Sequence, residues 1–495
     1  MIDSILETPD YLVYYLFALP LLAAIVALAV KDARIQAAGV GAISLTLFGF
    51  IIYACITLLW PLFQMEQSLK IWHLNLLPKV PLTFIIEPWG TLFALVATLL
   101  WPVATLYSAG YMKTTKAKHT GRFHACFALA IFGVLGIAFS GNLITLFIFY
   151  EILTLSTYPL VAHDQTKEAL RAGRIYLTYL LGTSFTLFLG AIIYTAHIAG
   201  TFSLLPGGTI EGNITNGAAC ILLLCYAYGI GKSALMPLHR WLPEAMVAPA
   251  PVSALLHAVA VVKGGVFTFI KIFVYIFGIE YAMQLAGAHW LTWIAAATMM
   301  LASFTALKTD KLKTLLAYST ISQLATILMV ASLATAPAIQ AAAFHLASHA
   351  LGKITLFFVV GAIQATAHKT KISELRGLAH AMPYSFAALV VGAMVMIGLP
   401  PTAGFISKWM MFTAAMDMGS SVALVTLLVS TLLNALYFSR IIWLCLQKPL
   451  DGKRLRRHET GWPMLAALGF TALLCVLLFI YPNPILELAQ KFSVL

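Results

Sequence analysis

The sequence predicts an all-α integral membrane protein of about 14 transmembrane helices, with two inverted five-helix repeats that each contain a broken helix. Three observations carry this expectation. Of 495 residues, 61% are hydrophobic and 10% charged, against about 25% charged in soluble domains. Apolar runs of about 20 residues, enough to cross a hydrocarbon core, recur along the whole chain. Two of these runs, five apart, are interrupted by glycine and proline beside a lysine.

Apolar periodicity places the spans at 11–30, 37–62, 82–112, 122–140, 142–162, 173–198, 217–239, 250–278, 289–307, 314–334, 338–366, 384–415, 421–445 and 463–482. The first run, Tyr11 to Val30, follows Asp3, Glu7 and Asp10 with no basic residue, so no cleavable signal peptide is expected. The units group as an N-terminal three-helix segment (1–121), a first repeat of spans four to eight (122–280), a second of spans nine to thirteen (281–447), and a basic loop with the last span (448–495).

The net charge of +12 is a topology signal and not a nucleic-acid footprint. Of 30 Lys and Arg residues, 22 fall in loops after odd-numbered spans, in clusters such as Lys113, Lys116, Lys118 and Arg122, or Lys453, Arg454, Arg456 and Arg457. Lys70, Lys79 and Lys491 stand on the opposite side. Under the positive-inside rule this asymmetry puts both termini outside the cytoplasm. The six cysteines form no CxxC pair and read as small buried hydrophobes, with no iron–sulfur cluster, zinc or disulfide framework implied. There is no GxGxxG before a helix and no phosphate loop. Neither cofactor nor metal is expected, so the energy must come from an ion gradient or a partner chain.

The remaining five lysines lie within spans: Lys232, Lys263, Lys271, Lys353 and Lys408. No arginine joins them. A buried lysine can release its proton, whereas arginine stays charged. Glu151, in FIFYEILTLSTYPL, is an acid in the same apolar setting. Ionisable groups inside a membrane cost several kcal/mol each and by default mark a pathway or proton relay. Glu151 and Lys232 read either as a structural ion pair or as a switchable one, in which a proton on one partner alters the other. Lys271 lies near its span's end and is expected to snorkel to the interface. His345, His349 and Lys353 are spaced i, i+4, i+8 and share a helix face. They suit a proton wire, because imidazole titrates near neutrality. A metal site and ordinary packing are the rival readings, and no acidic or thiol ligand accompanies the pair. His257, six residues before Lys263, faces elsewhere and suits a link between helices. His73, His119, His124, His163 and His368 lie near loops and are expected to be solvated.

The first break reads CYAYGIGKSALMPLHRWLP, with Gly229, Gly231 and Pro237 around Lys232. The second reads GLPPTAGFISKW, with Gly398, Pro400, Pro401 and Gly404 before Lys408. They fall in the seventh and twelfth spans, and an odd offset of five reverses direction through the membrane. Paired interrupted helices at corresponding positions point to a transporter's working site. Irregular backbone at that depth must line a cavity or be covered by protein.

KSALMPLHRWLPEAMVAPAPVSALLHAVAVVKGGVF (232–267) resembles the sequence shared by the antiporter-like subunits of respiratory complex I, Mrp-type multisubunit cation/proton antiporters and membrane-bound hydrogenases. FYEILTLSTYPLVAH, HALGKITLFF and GLPPTAGFISKW fit it too, so the resemblance spans roughly residues 80 to 445. It implies a 14-helix bundle of two inverted five-helix repeats. It makes Glu151 and Lys232 the interacting pair of a first half-channel and Lys263 the central bridge, with His257 near it. His345, His349 and Lys353 continue the axis, and Lys408 exchanges protons with the far side. A lysine at Lys408 resembles the D-type subunit of Mrp antiporters, and the M-type subunit of complex I typically has glutamate there. PVSALLHA leans toward the A-type and L-type subunits, yet the chain stops at Leu495 without their long lateral helix or extra domains.

The function so implied is that of a proton-translocating subunit of a cation (Na⁺)/proton antiporter, embedded among other membrane subunits in the lipid bilayer of a prokaryotic plasma membrane. A proton-pumping subunit of a redox complex or of an inorganic-carbon-uptake complex is the alternative. Nothing in the sequence reads as a dedicated Na⁺ site, and the chain carries no catalytic chemistry of its own.

Overall fold

The computed structural model describes residues 9–61, 69–77, 80–204, 206–449 and 457–493. Lys79 and, in the basic loop, Lys453, Arg454 and Arg456 lie outside them, as does the side chain of His73. Eleven helices among the described residues are long and apolar enough to cross a membrane, and three shorter apolar ones accompany them. In chain order the spans are α1 (Pro9–Ala29), α2 (Ala33–Ala54, running on as a π turn), α3 (Pro88–Thr115), α4 (Thr120–Ala138), α5 (Leu143–Val161), α6 (Lys167–Ala199), α7 (Asn216–Gly229), α8 (Ala250–Phe277), α9 (Ala286–Lys308), α10 (Leu312–Ala331), α11 (Ala336–Ala367), α12 (Pro383–Ile397, resuming at Ala403–Asp417), α13 (Ser421–Leu446) and α14 (Trp462–Ile480). A last helix, α15 (Asn483–Ser493), follows.

The span ends are set by local chemistry. Asn142, Thr166, Thr335 and Ser420 each turn a side-chain oxygen onto a free N–H of the helix that follows. The Thr166 cap starts α6 at Lys167, six residues before the sequence reading, because a basic first turn hides its apolar period. Leu82 also departs from expectation. It belongs to a strand, β2 (Val80–Ile86), paired antiparallel with β1 (Leu69–Leu77). Thr83, Phe84, Ile85 and Ile86 favour extended backbone, and Pro88 then opens α3 where no N–H is needed. The hairpin is tied to the bundle by Ile85 N–H to Phe139 O (2.8 Å) and Gly141 N–H to Thr83 O (2.8 Å).

α8 and α11 are the two spans whose apolar stretch is wholly buried. They form the axis of the bundle. α3 locks both: the Tyr107 ring stacks on Phe358 with centroids 4.0 Å apart and its hydroxyl donates to Phe358 O (2.8 Å), while Trp89 stacks on Phe267 at 4.9 Å. α15 is amphipathic and lays Leu488, Ala489 and Phe492 into the core beside α3 and α11.

Candidate proton pathway

The first break follows Gly229. Ile230 leaves the helix, Gly231–Ser233 make one tight turn, and a cis bond joins Met236 to Pro237. Freed backbone groups find side-chain partners, as a break within a membrane demands. Trp241 Nε1 donates to Gly231 O (3.1 Å), and Lys232 N donates to the Tyr150 hydroxyl (3.2 Å). Lys232 is fully buried, and its Nζ donates to Tyr150 O (2.9 Å) and Thr154 Oγ1 (2.6 Å) on α5.

Glu151 is buried on the same helix, and neither of its carboxylate oxygens has a protein hydrogen-bond partner. The expected Glu151–Lys232 pair is therefore close in the fold without being a direct salt bridge: the ammonium is engaged by the neighbouring carbonyl and by the hydroxyl one turn on. A buried carboxylate with no protein donor is a group that water or a moving proton must serve.

α8 packs against the break at Gly265. A Cβ there would stand 2.6 Å from Lys232 C and 2.7 Å from Ser233 N, so only glycine permits the approach. On α8, His257 sits in a π turn over Leu255–Val259, a rare geometry that recurs at functional sites. Its ring lies 4.8 Å from Phe357 of α11, and neither nitrogen has a protein partner. Two residues beyond that π turn the helix resumes, and Lys263 Nζ makes a short contact with His349 Nδ1. That contact joins α8 to α11.

Along α11 the rings of His349 and His345 stack with centroids 5.9 Å apart. His345 Nδ1 bonds Ser407 Oγ (3.0 Å) and Nε2 bonds Gln323 Oε1 (3.0 Å). Ser407 precedes Lys408. Lys353, on the same face of α11, donates to Leu316 O (3.3 Å). The second break mirrors the first in its ingredients. Gly398 holds φ +87°, Pro400 and Pro401 are joined in cis, and Gly404 lies in the first turn of the resumed helix. Gly398 also clears the lysine's stem, since a Cβ would stand 2.6 Å from Lys408 Cδ. Lys408 Nζ donates to Thr431 Oγ1 of α13 (2.9 Å).

Glu151, Lys232, His257, Lys263, His345, His349, Lys353 and Lys408 are thus all buried, on α5, α8, α11, α12 and the break after α7. Thr154, Gln323, Ser407 and Thr431 join them, and sequence alone does not single out such uncharged residues within apolar runs.

Three expectations are corrected. Lys271 does not snorkel: it is buried, and its Nζ lies 2.7 Å from Glu87 Oε1, because α8 is enclosed to its end and offers no interface. His124 and His163 are buried and not solvated. α4 packs its first turns against the bundle, and His163 folds back so that Nε2 bonds Lys118 O (3.1 Å).

Residues 140–434 match the family described as NADH:quinone oxidoreductase/Mrp antiporter, TM. The chain belongs to this family. Among its relatives is the NADH-quinone oxidoreductase subunit N of Desulforudis audaxviator (strain MP104C), 33% identical over 374 residues that cover 74% of this chain and 73% of that one. The A/B subunit of a probable K(+)/H(+) antiporter of Rhizobium meliloti (strain 1021) is 31% identical over 432 residues, covering 83% of this chain and 41% of that protein. The A1 subunit of a Na(+)/H(+) antiporter of Staphylococcus aureus (strain JH9) is 32% identical over 360 residues, covering 68% and 43%. The chain spans less than half the length of these two antiporter proteins. Its fold is that of a chain in the Mrp complex from Dietzia sp. DQ12-45-1b, with TM-score 0.85 and 21% identity over 97% of this chain and 96% of that one. It is equally that of a chain in the membrane-bound sulfane sulfur reductase (MBS), an archaeal respiratory membrane complex, with TM-score 0.84 and 24% identity at the same coverage. The antiporter-family fold expected from the motifs is borne out.

Proposed function

We propose that this chain is the proton-translocating subunit of a multisubunit cation/proton antiporter, with Na⁺ as the exchanged cation. One observation carries the reading: a line of buried ionisable side chains runs from Glu151 and Lys232 at the first helix break, through the Lys263–His349 contact and His345, to Lys408 at the second. A scaffold gains nothing from so many costly groups. A proton is taken up at Glu151 and Lys232, moves along Lys263 and His349, with Lys353 beside them on α11, passes His345 and is released through Lys408. Each arriving charge repels the next, which drives transfer onward. The cation crosses through a partner membrane subunit.

The two working units are residues 122–280 and 281–447, flanked by 1–121 and 448–495. Lys408 at the second break favours the D-type place in the complex. The excess of basic residues in loops after odd-numbered spans supports a prokaryotic plasma-membrane location with both termini outside the cytoplasm.

Lys232→Ala and Glu151→Ala, assayed in vesicles, are expected to abolish proton-coupled cation exchange while the complex still assembles. Unchanged exchange in an assembled variant refutes the reading. A redox-driven pump is the second reading, favoured by the 33% identity to a subunit of a quinone oxidoreductase. Co-purification of flavin or iron–sulfur chains decides for it, and of inorganic-carbon-handling chains for a carbon-uptake complex.

A further inference from the structure

Glu87, Lys271 and Tyr275 form a buried ionisable cluster that the axis above does not use. Lys271 Nζ stands 2.7 Å from Glu87 Oε1 and donates to Ser140 O (2.6 Å), and the Tyr275 hydroxyl donates to Glu87 Oε2. Lys271 is 1% and Glu87 4% exposed. The cluster sits where β2 enters α3, at the face that carries the hairpin and α15, opposite the basic loops.

Three features connect it to the central lysine. Lys263 and Lys271 ride the same helix, eight residues and about 12 Å of rise apart. Between them, Phe267 is stacked on Trp89 (4.9 Å) and Phe93 (4.8 Å), and Lys271 Nζ lies 5.7 Å over its ring. Beside that aromatic stack, the hydroxyls of Thr268 on α8 and Thr91 on α3 are buried without a hydrogen-bond partner. Thr91 stands one turn beyond Glu87, and Thr268 one turn before Lys271. Orphan hydroxyls of this kind are rare in a packed interior, and here two of them lie within one turn of the cluster, on the side toward Lys263. On the outer side, among the described residues, Phe492 of α15 stacks on Trp89 (5.0 Å) and stands 5.9 Å from the Tyr275 ring, so the terminal helix forms part of the cover over the site.

We propose that Glu87, Lys271 and Tyr275 form a second proton-exchange site, a branch that leaves the axis at Lys263 and opens to the face covered by the hairpin and α15. The branch rests on the proton-transport reading above. In the loaded state Lys271 holds the proton against the Glu87 carboxylate. Its transfer to that carboxylate leaves two neutral groups, with the Tyr275 hydroxyl still bonded to Glu87, and release from the carboxyl group to the outer face restores the anion.

The test uses the whole complex in vesicles, with exchange measured per assembled complex for Glu87→Gln, Lys271→Met and Tyr275→Phe, with Glu87→Asp as the conservative variant and Lys232→Ala as the reference. The branch predicts a loss of at least about tenfold for Glu87→Gln and Lys271→Met, a smaller loss for Tyr275→Phe, and recovery in Glu87→Asp. If Lys232→Ala is inactive while the cluster variants exchange at the wild-type rate per complex, the branch is overturned and the cluster is a latch holding α3 to α8. If Lys232→Ala is itself fully active, the parent reading fails instead. Should Glu87→Gln or Lys271→Met not assemble, Tyr275→Phe decides: a wild-type rate per complex overturns the branch.

Discussion

Gly265→Ala tests whether the axis depends on how closely α8 approaches the first break. The added Cβ would stand 2.6 Å from Lys232 C, 2.7 Å from Ser233 N and 2.8 Å from Lys232 Cβ, where ordinary contact begins at 3.4 Å. Two of those three atoms are backbone, so no rotamer change relieves the clash. The helix and the break must separate by about 0.8 Å, the gap between 3.4 and 2.6 Å. Overpacking of this sort costs about 1–3 kcal/mol of stability. The functional cost is larger. Lys232 Nζ bonds at 2.6 and 2.9 Å, and a misplacement of about 1 Å can cost about a hundredfold in rate. Gly265→Ala is therefore expected to yield assembled complex with a lowered melting temperature and exchange reduced at least tenfold. Gly182→Ala and Gly190→Ala are the controls. Nothing lies within 4 Å of a Cβ at either position in α6, so both should keep wild-type exchange. In a helix this change is worth up to about 1 kcal/mol of added stability. Wild-type exchange by Gly265→Ala, measured in vesicles at matched complex content, refutes the argument.

Lys263→Met and His349→Ala are each expected to reduce exchange at least tenfold, and the double variant to lose no more than the worse single one, because the pair acts as one link; additive losses in a double-mutant cycle would sever it. Thr431→Val removes the hydroxyl that accepts from Lys408 Nζ at 2.9 Å; a bond to a charged group is worth about 1.5–3 kcal/mol and favours the protonated lysine, so proton loading of Lys408, and with it exchange, should fall about tenfold or more, and unchanged exchange would count against Lys408 as the terminal group. His163 lies outside the spans, and burial first, then the Arg122 guanidinium, hold its pKa below the ordinary 6.5. The folded state thus binds its proton less readily than the unfolded chain, so stability contributed by the neutral ring is present above pH 6.5 and declines as pH falls below it. His163→Gln should flatten that acid-side loss in melting curves, and an identical pH profile would contradict it.

The architecture is legible because a membrane writes length and polarity into the sequence. Each span needs its run of apolar residues, and the costly exceptions announce themselves: Lys232, Lys263, Lys353, Lys408 and Glu151 stand out as breaches of that rule, and the breaks as Gly and Pro where a helix should continue. What stays hidden depends on contacts between distant segments. Lys271 sits near a span's end, where snorkelling is the default, and nothing local reveals that Glu87, 184 residues away, meets it. The hairpin escapes notice because Leu82 to Ile86 satisfies an apolar window whether helical or extended. His163 misleads for the same reason as Lys271, since loop proximity predicts exposure only when no neighbouring segment folds over the loop.

The two breaks also differ in a way that bears on direction. Lys232 is enclosed, held by a backbone carbonyl and a hydroxyl of α5, with the unpartnered Glu151 carboxylate beside them. Lys408 is held by one hydroxyl, and its neighbour Ser407 connects straight to His345. From Lys263 onward each step has a direct bond, a stacked pair of rings or a neighbouring residue to follow: His349, His345, Ser407 and then Lys408. Between Lys232 and Lys263 no side-chain bond is found among the described residues, only the close packing of Gly265 on the break. Under the transport reading proposed above, the slow step is expected between Lys232 and Lys263, which are joined only by the packing of α8 on the break after α7. Substitutions that tighten or loosen that contact should move the overall rate more than equivalent changes between His345 and Lys408. The opposite ranking would place the gate at the second break.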